Sequence, residues 1–261
     1  EVTVNLMRGF EKWLGDKPRA ASLYCSAIVK MFNDAREYYN DEDNDVVLIK
    51  HSLRKYRVPK PGVAEKRALP VEVVRRIFSL PYDGKKVKGM CSVHDLALDC
   101  YRLSFCLMGM NSADLWAAED YEDGMIVYHR AKTKDRRSDG AEMRVVVPDV
   151  VRDVFERWRD ADGERVVSFH RRFSTPENLN KSINEGLKAV GREVGVEGLQ
   201  FYSARHSMAT IALNEAGISK WLVNDMLCHV DPAMKVTELY IKKDYSCLLY
   251  TSPSPRDYAA S

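Results

Sequence analysis

Phe201-Tyr202-Ser203-Ala204-Arg205-His206-Ser207-Met208-Ala209-Thr210 is the stretch on which fold and chemistry turn. Its apolar spacing predicts a helix over 203–216. Arg205 and His206 stand where that helix begins. The macrodipole disfavours a cation there and favours an anionic partner. Further on come Leu227-Cys228-His229-Val230-Asp231-Pro232 and Thr237-Glu238-Leu239-Tyr240. Taken singly, His229 reads as a capping or core histidine. Tyr240 reads as a half-buried aromatic on a Met234, Val236, Leu239 stripe. Only their order and spacing single them out.

Working outward, helical patterns cover about 149–161, 176–194, 219–228 and 232–240 on either side of that stretch. Upstream, Met125-Ile126-Val127-Tyr128 and Met143-Arg144-Val145-Val146-Val147 read as strands, with Asp139-Gly140 between them as a hairpin signal. Lys132-Thr133-Lys134 follows the first strand. A long helix is expected over 92–109, another after Pro70 (Val71, Val74, Ile77, Phe78), and two amphipathic helices over 4–14 and 20–38. The fold class is therefore mainly α with a small antiparallel β-sheet.

A chain of 261 residues is one large domain or two small ones, and 45% hydrophobic residues exclude wholesale disorder. With 40 Lys+Arg against 38 Asp+Glu, any basic surface must be local. One such place is 51–67, where Arg54, Lys55, Arg57, Lys60, Lys66 and Arg67 face a single acidic residue, Glu65. It reads as an extended basic linker able to follow a phosphate backbone. No apolar run reaches the ~18–20 residues of a membrane helix, and the start Glu1-Val2-Thr3-Val4, without a basic region and apolar core, does not read as a signal peptide. A cytoplasmic protein with no membrane partner is expected. The six cysteines form no C-x-x-C pair and no zinc spacing with the histidines, so they read as reduced core thiols, with no metal. The missing initiator Met suggests a fragment or processed product. The aperiodic tail 245–261 reads as non-native sequence, in the style of adapter read-through.

Arg205-His206, His229 and Tyr240, behind the Lys132-Thr133 hairpin, together resemble the tyrosine recombinase (phage integrase) family. Lys66-Arg67-Ala68-Leu69-Pro70 is similar to the family's approach to its catalytic domain. The resemblance implies a truncated helical core-binding (SAM-like) domain over 1–60, a basic linker over 61–66 and an integrase-like catalytic domain over 67–244. It further implies site-specific DNA recombination through a 3′-phosphotyrosine intermediate, duplex DNA as partner, a homotetramer on DNA, and no cofactor. Tyr240 would be the nucleophile, Arg205 the phosphate clamp, Lys132 the general acid, and His229, Tyr202 and His206 supporting members of the site.

Elementary chemistry agrees with those roles. Breaking a phosphodiester while conserving its energy requires a covalent ester, which a tyrosine oxygen on phosphorus provides. A forked, permanently charged guanidinium suits the charge that spreads over the non-bridging oxygens. The leaving 5′ oxygen needs a proton, which a hairpin lysine, Lys132 or its neighbour Lys134, can deliver.

Two positions depart from the family pattern. Asn111, in Gly109-Met110-Asn111-Ser112-Ala113-Asp114-Leu115, stands where members carry arginine, and Tyr202 stands where histidine is common. Arg136 and Arg137 are the cations expected to compensate for Asn111, with Arg102 a third. Asp114 matches an acidic position that supports the site, or is simply a helix cap. Two rival readings stay open. One is a recombinase-like DNA-binding protein that no longer cleaves. The other is a helix-turn-helix regulator over 209–227, although its reading helix 220–227 would carry one cation and five apolar residues.

Overall fold

The computed structural model describes residues 2–41, 43–61, 67–137, 139–160 and 162–229. Tyr240, Lys66, the helix expected over 232–240 and the tail over 245–261 lie outside the described residues. Among the described residues no helix is long and apolar enough to cross a membrane.

The chain divides into two compact units, Glu1–Glu65 and Lys66–Ser261. The first is built on helices α1 (Val4–Leu14) and α2 (Pro18–Tyr39). Thr3 starts α1 by accepting from the Leu6 N–H at 3.2 Å, and Pro18 opens α2 at a position where a missing N–H costs nothing. Its small core holds Met7, Cys25, Leu53 and Tyr56. That core corrects the reading of 51–67 as linker throughout. Leu53 and Tyr56 are buried in the first unit, and the Tyr56 hydroxyl donates to Glu11 at 2.9 Å. The apolar residues between the cations anchor this segment, so Arg54, Lys55, Arg57 and Lys60 project as exposed side chains of a folded unit.

The second unit is wrapped around α4 (Val93–Cys106), whose residues from His94 to Cys106 are all buried. Ser92 caps it by accepting from the Asp95 N–H at 3.1 Å. Its longest neighbour is α8 (Pro176–Val194), which buries Leu179, Ile183, Leu187 and Val190 completely. The two helices approach so closely at Gly186 that a Cβ there would stand 1.9 Å from the Val93 carbonyl oxygen. The buried Asp99 carboxylate of α4 is fully engaged. Asp99 accepts from Tyr82 at 2.6 Å, Trp158 at 2.8 Å and Arg157 at 2.9 Å. Helices α3 (Val71–Ser79), α5 (Ser112–Ala117), α6 (Asp149–Trp158), α7 (Phe169–Arg172), α9 (Tyr202–Asn214) and α10 (Lys220–Met226) complete the α layer.

The main sheet has three antiparallel strands in the order β3 (Asp120–Glu122), β4 (Met125–His129), β5 (Glu142–Val146). β4 and β5 pair from Met125 with Val146 to His129 with Glu142. The connection is wider than the Asp139-Gly140 hairpin expected from the sequence. It spans 130–141, with a 3-10 turn over Lys134–Arg136. Strand β3 and the short hairpin β1 (Lys86–Val87), β2 (Met90–Cys91) carry too few residues for a readable period. The expected long helix over 92–109 stops at Cys106, because Met108 and Gly109 turn left-handed at φ +54° and +70°. The five described cysteines are free thiols, four of them buried.

Candidate functional site

Arg205 lies in the first turn of α9 and is 6% exposed. Asn184 Oδ1, on α8, accepts from the Phe201 N–H at 2.9 Å and fixes the approach to this helix. Ser207 locks the other side: its hydroxyl donates to the Ser203 carbonyl at 2.7 Å and accepts from the Leu69 N–H at 2.8 Å. The Arg205 side chain leaves over Gly109. A Cβ there would fall 2.6 Å from Arg205 Cγ, so only glycine permits the approach. Its guanidinium donates from Nη1 to the Gly109 carbonyl at 3.0 Å and from Nη2 to the Leu227 carbonyl.

Three other chain segments bring charge to this place. Cys228 turns left-handed at φ +49° after α10, and the next residue, His229, donates its N–H to the Asn224 carbonyl at 2.9 Å. Partial burial and then the cations Arg205, Arg130 and Lys132 push the His229 imidazole below its ordinary pKa. Arg130, the first residue past β4, is 8% exposed and donates from Nη1 to the Cys228 carbonyl at 3.3 Å. Asp114, buried in α5, accepts from the Ala131 N–H at 2.8 Å and so holds the turn that carries Lys132. Burial raises its carboxyl pKa, against the pull of that N–H and of Arg130 and Arg205. Burial, followed by the charge of Arg130, lowers the pKa of Arg205.

The structure thus brings Arg205, His229, Lys132 and Asp114 together among the expected residues. It adds Arg130, which sequence reading missed. The signal was there: Ile126, Tyr128 and Arg130 alternate along one face, and all three are buried. Tyr202, in the first turn of the same helix, is half-exposed and edge-on to His206, with ring centroids 4.7 Å apart. His206 is held below its ordinary pKa by burial and then by Arg67 and Arg205. Asn111 is the cap of α5: its Oδ1 accepts from the Ser112 N–H at 2.8 Å. Asp114 is therefore not that cap.

The three cations expected to compensate for Asn111 have the following surroundings. Arg137 donates from Nε to Asp139 at 2.7 Å. Arg136 is exposed on the 3-10 turn. Arg102 spans Tyr82 at 2.8 Å and the Leu80 carbonyl at 2.7 Å, where it ties α4 to the end of α3. Arg67 donates to Gln200 at 2.6 Å, just ahead of α9. In α10, Val223 and Met226 are buried and Lys220 is the sole cation, so its inner face packs the core instead of offering a reader. Asp83, His94 and Asp95 bring potential metal-ligand atoms within 4.8 Å of one another. Their carboxylates already accept from the N–H groups of Asp83, Gly84 and Lys85 and from the Ser92 hydroxyl.

The two lowered imidazoles set a pH dependence. Above the ordinary histidine pKa of ~6.5, both rings are neutral in the folded and unfolded chain and contribute nothing. Below it the unfolded chain takes up protons that the folded chain resists, so stability falls with acidification. Urea midpoints between about pH 7.5 and about pH 5.5 should show this loss, and His206→Gln with His229→Gln should lessen it. An equal loss in the double variant would place the titration elsewhere.

No protein-family model matches the chain, and no curated protein matches its sequence. Among solved structures it is similar to the lambda integrase fragment 75–356, a dimer bound to a COC' core site. The TM-score is 0.61 at 15% identity, over 91% of this chain and 79% of that chain. A looser likeness is to the integrase from mycobacterium phage Brujita, with TM-score 0.42 at 14% identity, over 97% of this chain and 84% of that one. A helical first unit, a second unit wrapped on α4 with a three-stranded sheet at its side, and the likeness over nine-tenths of the chain identify the fold as that of the lambda integrase fragment.

Proposed function

We propose that this chain recombines duplex DNA by strand cleavage and rejoining through a 3′-phosphotyrosine ester. The observation that carries the reading is the buried Arg205 beside Arg130, with these two and Lys132 acting on His229 and the Asp114 carboxylate opposing the two arginines. Such an excess of positive charge suits an anion, and a phosphodiester is the anion that a duplex supplies.

In the proposed reaction the Tyr240 phenolic oxygen attacks phosphorus, and the new O–P bond replaces the bond from phosphorus to the 5′ oxygen. The leaving oxygen takes a proton from Lys132. The phenol proton passes to the neutral His229 ring or to water. Arg205 takes the charge that grows on a non-bridging oxygen. Rejoining is the reverse, with a 5′ hydroxyl as nucleophile, so the phosphotyrosine ester keeps the bond energy. Arg54, Lys55, Arg57, Lys60, Lys66 and Arg67 would meet the phosphate backbone, and four copies would be needed to exchange two duplexes.

A nicked suicide duplex carrying the core site tests the reading. Wild type should give a covalent protein–DNA adduct, and Tyr240→Phe should bind the duplex without forming one. An adduct in that variant removes Tyr240 from the mechanism. The rival, a DNA-binding protein that no longer cleaves, draws on Asn111 serving as a helix cap where the family carries arginine. Duplex binding with no adduct in wild type would select it.

A further inference from the structure

We propose that Arg130 is the second guanidinium of the phosphate seat and supplies the charge that Asn111 does not. The inference rests on reading the surroundings of Arg205 as that seat.

Strand geometry aims the residue. Arg130 continues the buried row of Ile126 and Tyr128, and its own backbone is fixed at both ends. Its N–H donates to the Ala141 carbonyl at 3.1 Å, and its carbonyl accepts from the N–H groups of Thr133 and Lys134 at 3.0 Å each. The side chain therefore reaches inward from a rigid base. Arg130 Nη1 is bonded to the Cys228 carbonyl, and Arg205 Nη2 to the adjoining Leu227 carbonyl. Two forks meeting consecutive carbonyls of one turn stand side by side. Nearby Asp114 is shared with the Ala131 N–H.

A phosphodiester has two non-bridging oxygens, and two adjacent forks can serve one each. Asn111 cannot take either place through Oδ1, which is an acceptor already facing the Ser112 N–H. Two cations buried together repel and have lost much of their hydration. An arriving anion offsets both costs. Burial first, and then the neighbouring cations, lower the pKa values of Arg205 and His229.

The test uses the full chain and inorganic phosphate, titrated at constant ionic strength and followed by phosphorus NMR and by the thermal midpoint. Arg130→Ala and Arg205→Ala should each weaken phosphate binding by about tenfold or more, the share of a charge-assisted contact. In phosphate-free buffer Arg130→Ala should melt no lower than wild type, since one of two adjacent buried charges is gone. A tie that merely holds the Cys228 carbonyl would do the reverse, lowering the midpoint and sparing phosphate affinity, and that result overturns the proposal. Arg130→Gln, which keeps an N–H donor but no charge, gives the same comparison should the alanine variant fail to fold. Phosphate binding lost in Arg205→Ala but within about twofold of wild type in Arg130→Ala overturns the role of Arg130 alone. No phosphate binding by wild type, or indifference to both substitutions, overturns the phosphate seat and the proposed function with it.

Discussion

Arg205→Ala is expected to lower single-turnover strand cleavage by about 10²–10³-fold, the usual loss when one preorganised donor to a developing oxyanion is removed. Binding of the duplex should change far less, because most of its affinity comes from phosphates spread along the backbone. The size follows from the site. The guanidinium is buried, aimed by carbonyls of two different segments, and beside a second cation. It needs no reorganisation when charge grows on the non-bridging oxygens. Arg205→Lys should rescue little, since one ammonium cannot fork between the Gly109 carbonyl, the Leu227 carbonyl and an oxyanion. Cleavage of a nicked core-site duplex under single-turnover conditions decides it. An alanine variant cleaving at the wild-type rate would remove Arg205 from the reaction.

The second large effect is on stability. Gly186→Ala puts a methyl 1.9 Å from the Val93 carbonyl oxygen and 2.7 Å from Ala97 Cβ. The first of these is backbone and cannot rotate away, so α4 and α8 must part along the most buried seam of the second unit. A loss of about 1–3 kcal/mol or more is expected, as for other overpacked cores. Helix propensity pulls the other way by ~1 kcal/mol, so the sign is decided by the contact. Gly9→Ala on α1 isolates that term, since nothing stands within 4 Å of a Cβ there. It should raise the urea midpoint while Gly186→Ala lowers it. A Gly186→Ala protein as stable as wild type would mean that the helices do not pack this closely.

Periodicity made most of the α layer legible. The expected span 176–194 is that of α8, and Arg205-His206 opens a helix as read. What escaped were elements too short to have a period, α5, α7, β1, β2 and β3, and the halt of α4 where Met108 and Gly109 turn left-handed. The segment 51–58 escaped for another reason. Its cations outnumber its two anchors, Leu53 and Tyr56, and charge drew the eye from burial.

The site divides the same way. Residues marked by a local motif, Arg205, His229 and Lys132, stand near one another. Arg130 carries no such mark, because what singles it out is proximity to a carbonyl 98 positions away in sequence. No local pattern encodes such a distance, and the alternation of Ile126, Tyr128 and Arg130 says only that an arginine points inward. Arg136 and Arg137 looked eligible from their place in the hairpin. The structure sets Arg136 on the 3-10 turn and bonds Arg137 to Asp139.

The contact between Gly109 and Arg205 has a consequence for descent. Gly109 meets Arg205 twice: its missing Cβ leaves room for the side-chain stem, and its carbonyl receives the guanidinium. A lineage that replaces the glycine loses the berth for the arginine, and one that loses the arginine no longer has reason to keep the glycine. Two codons 96 apart are thereby selected as one, and drift at either should leave its mark at both.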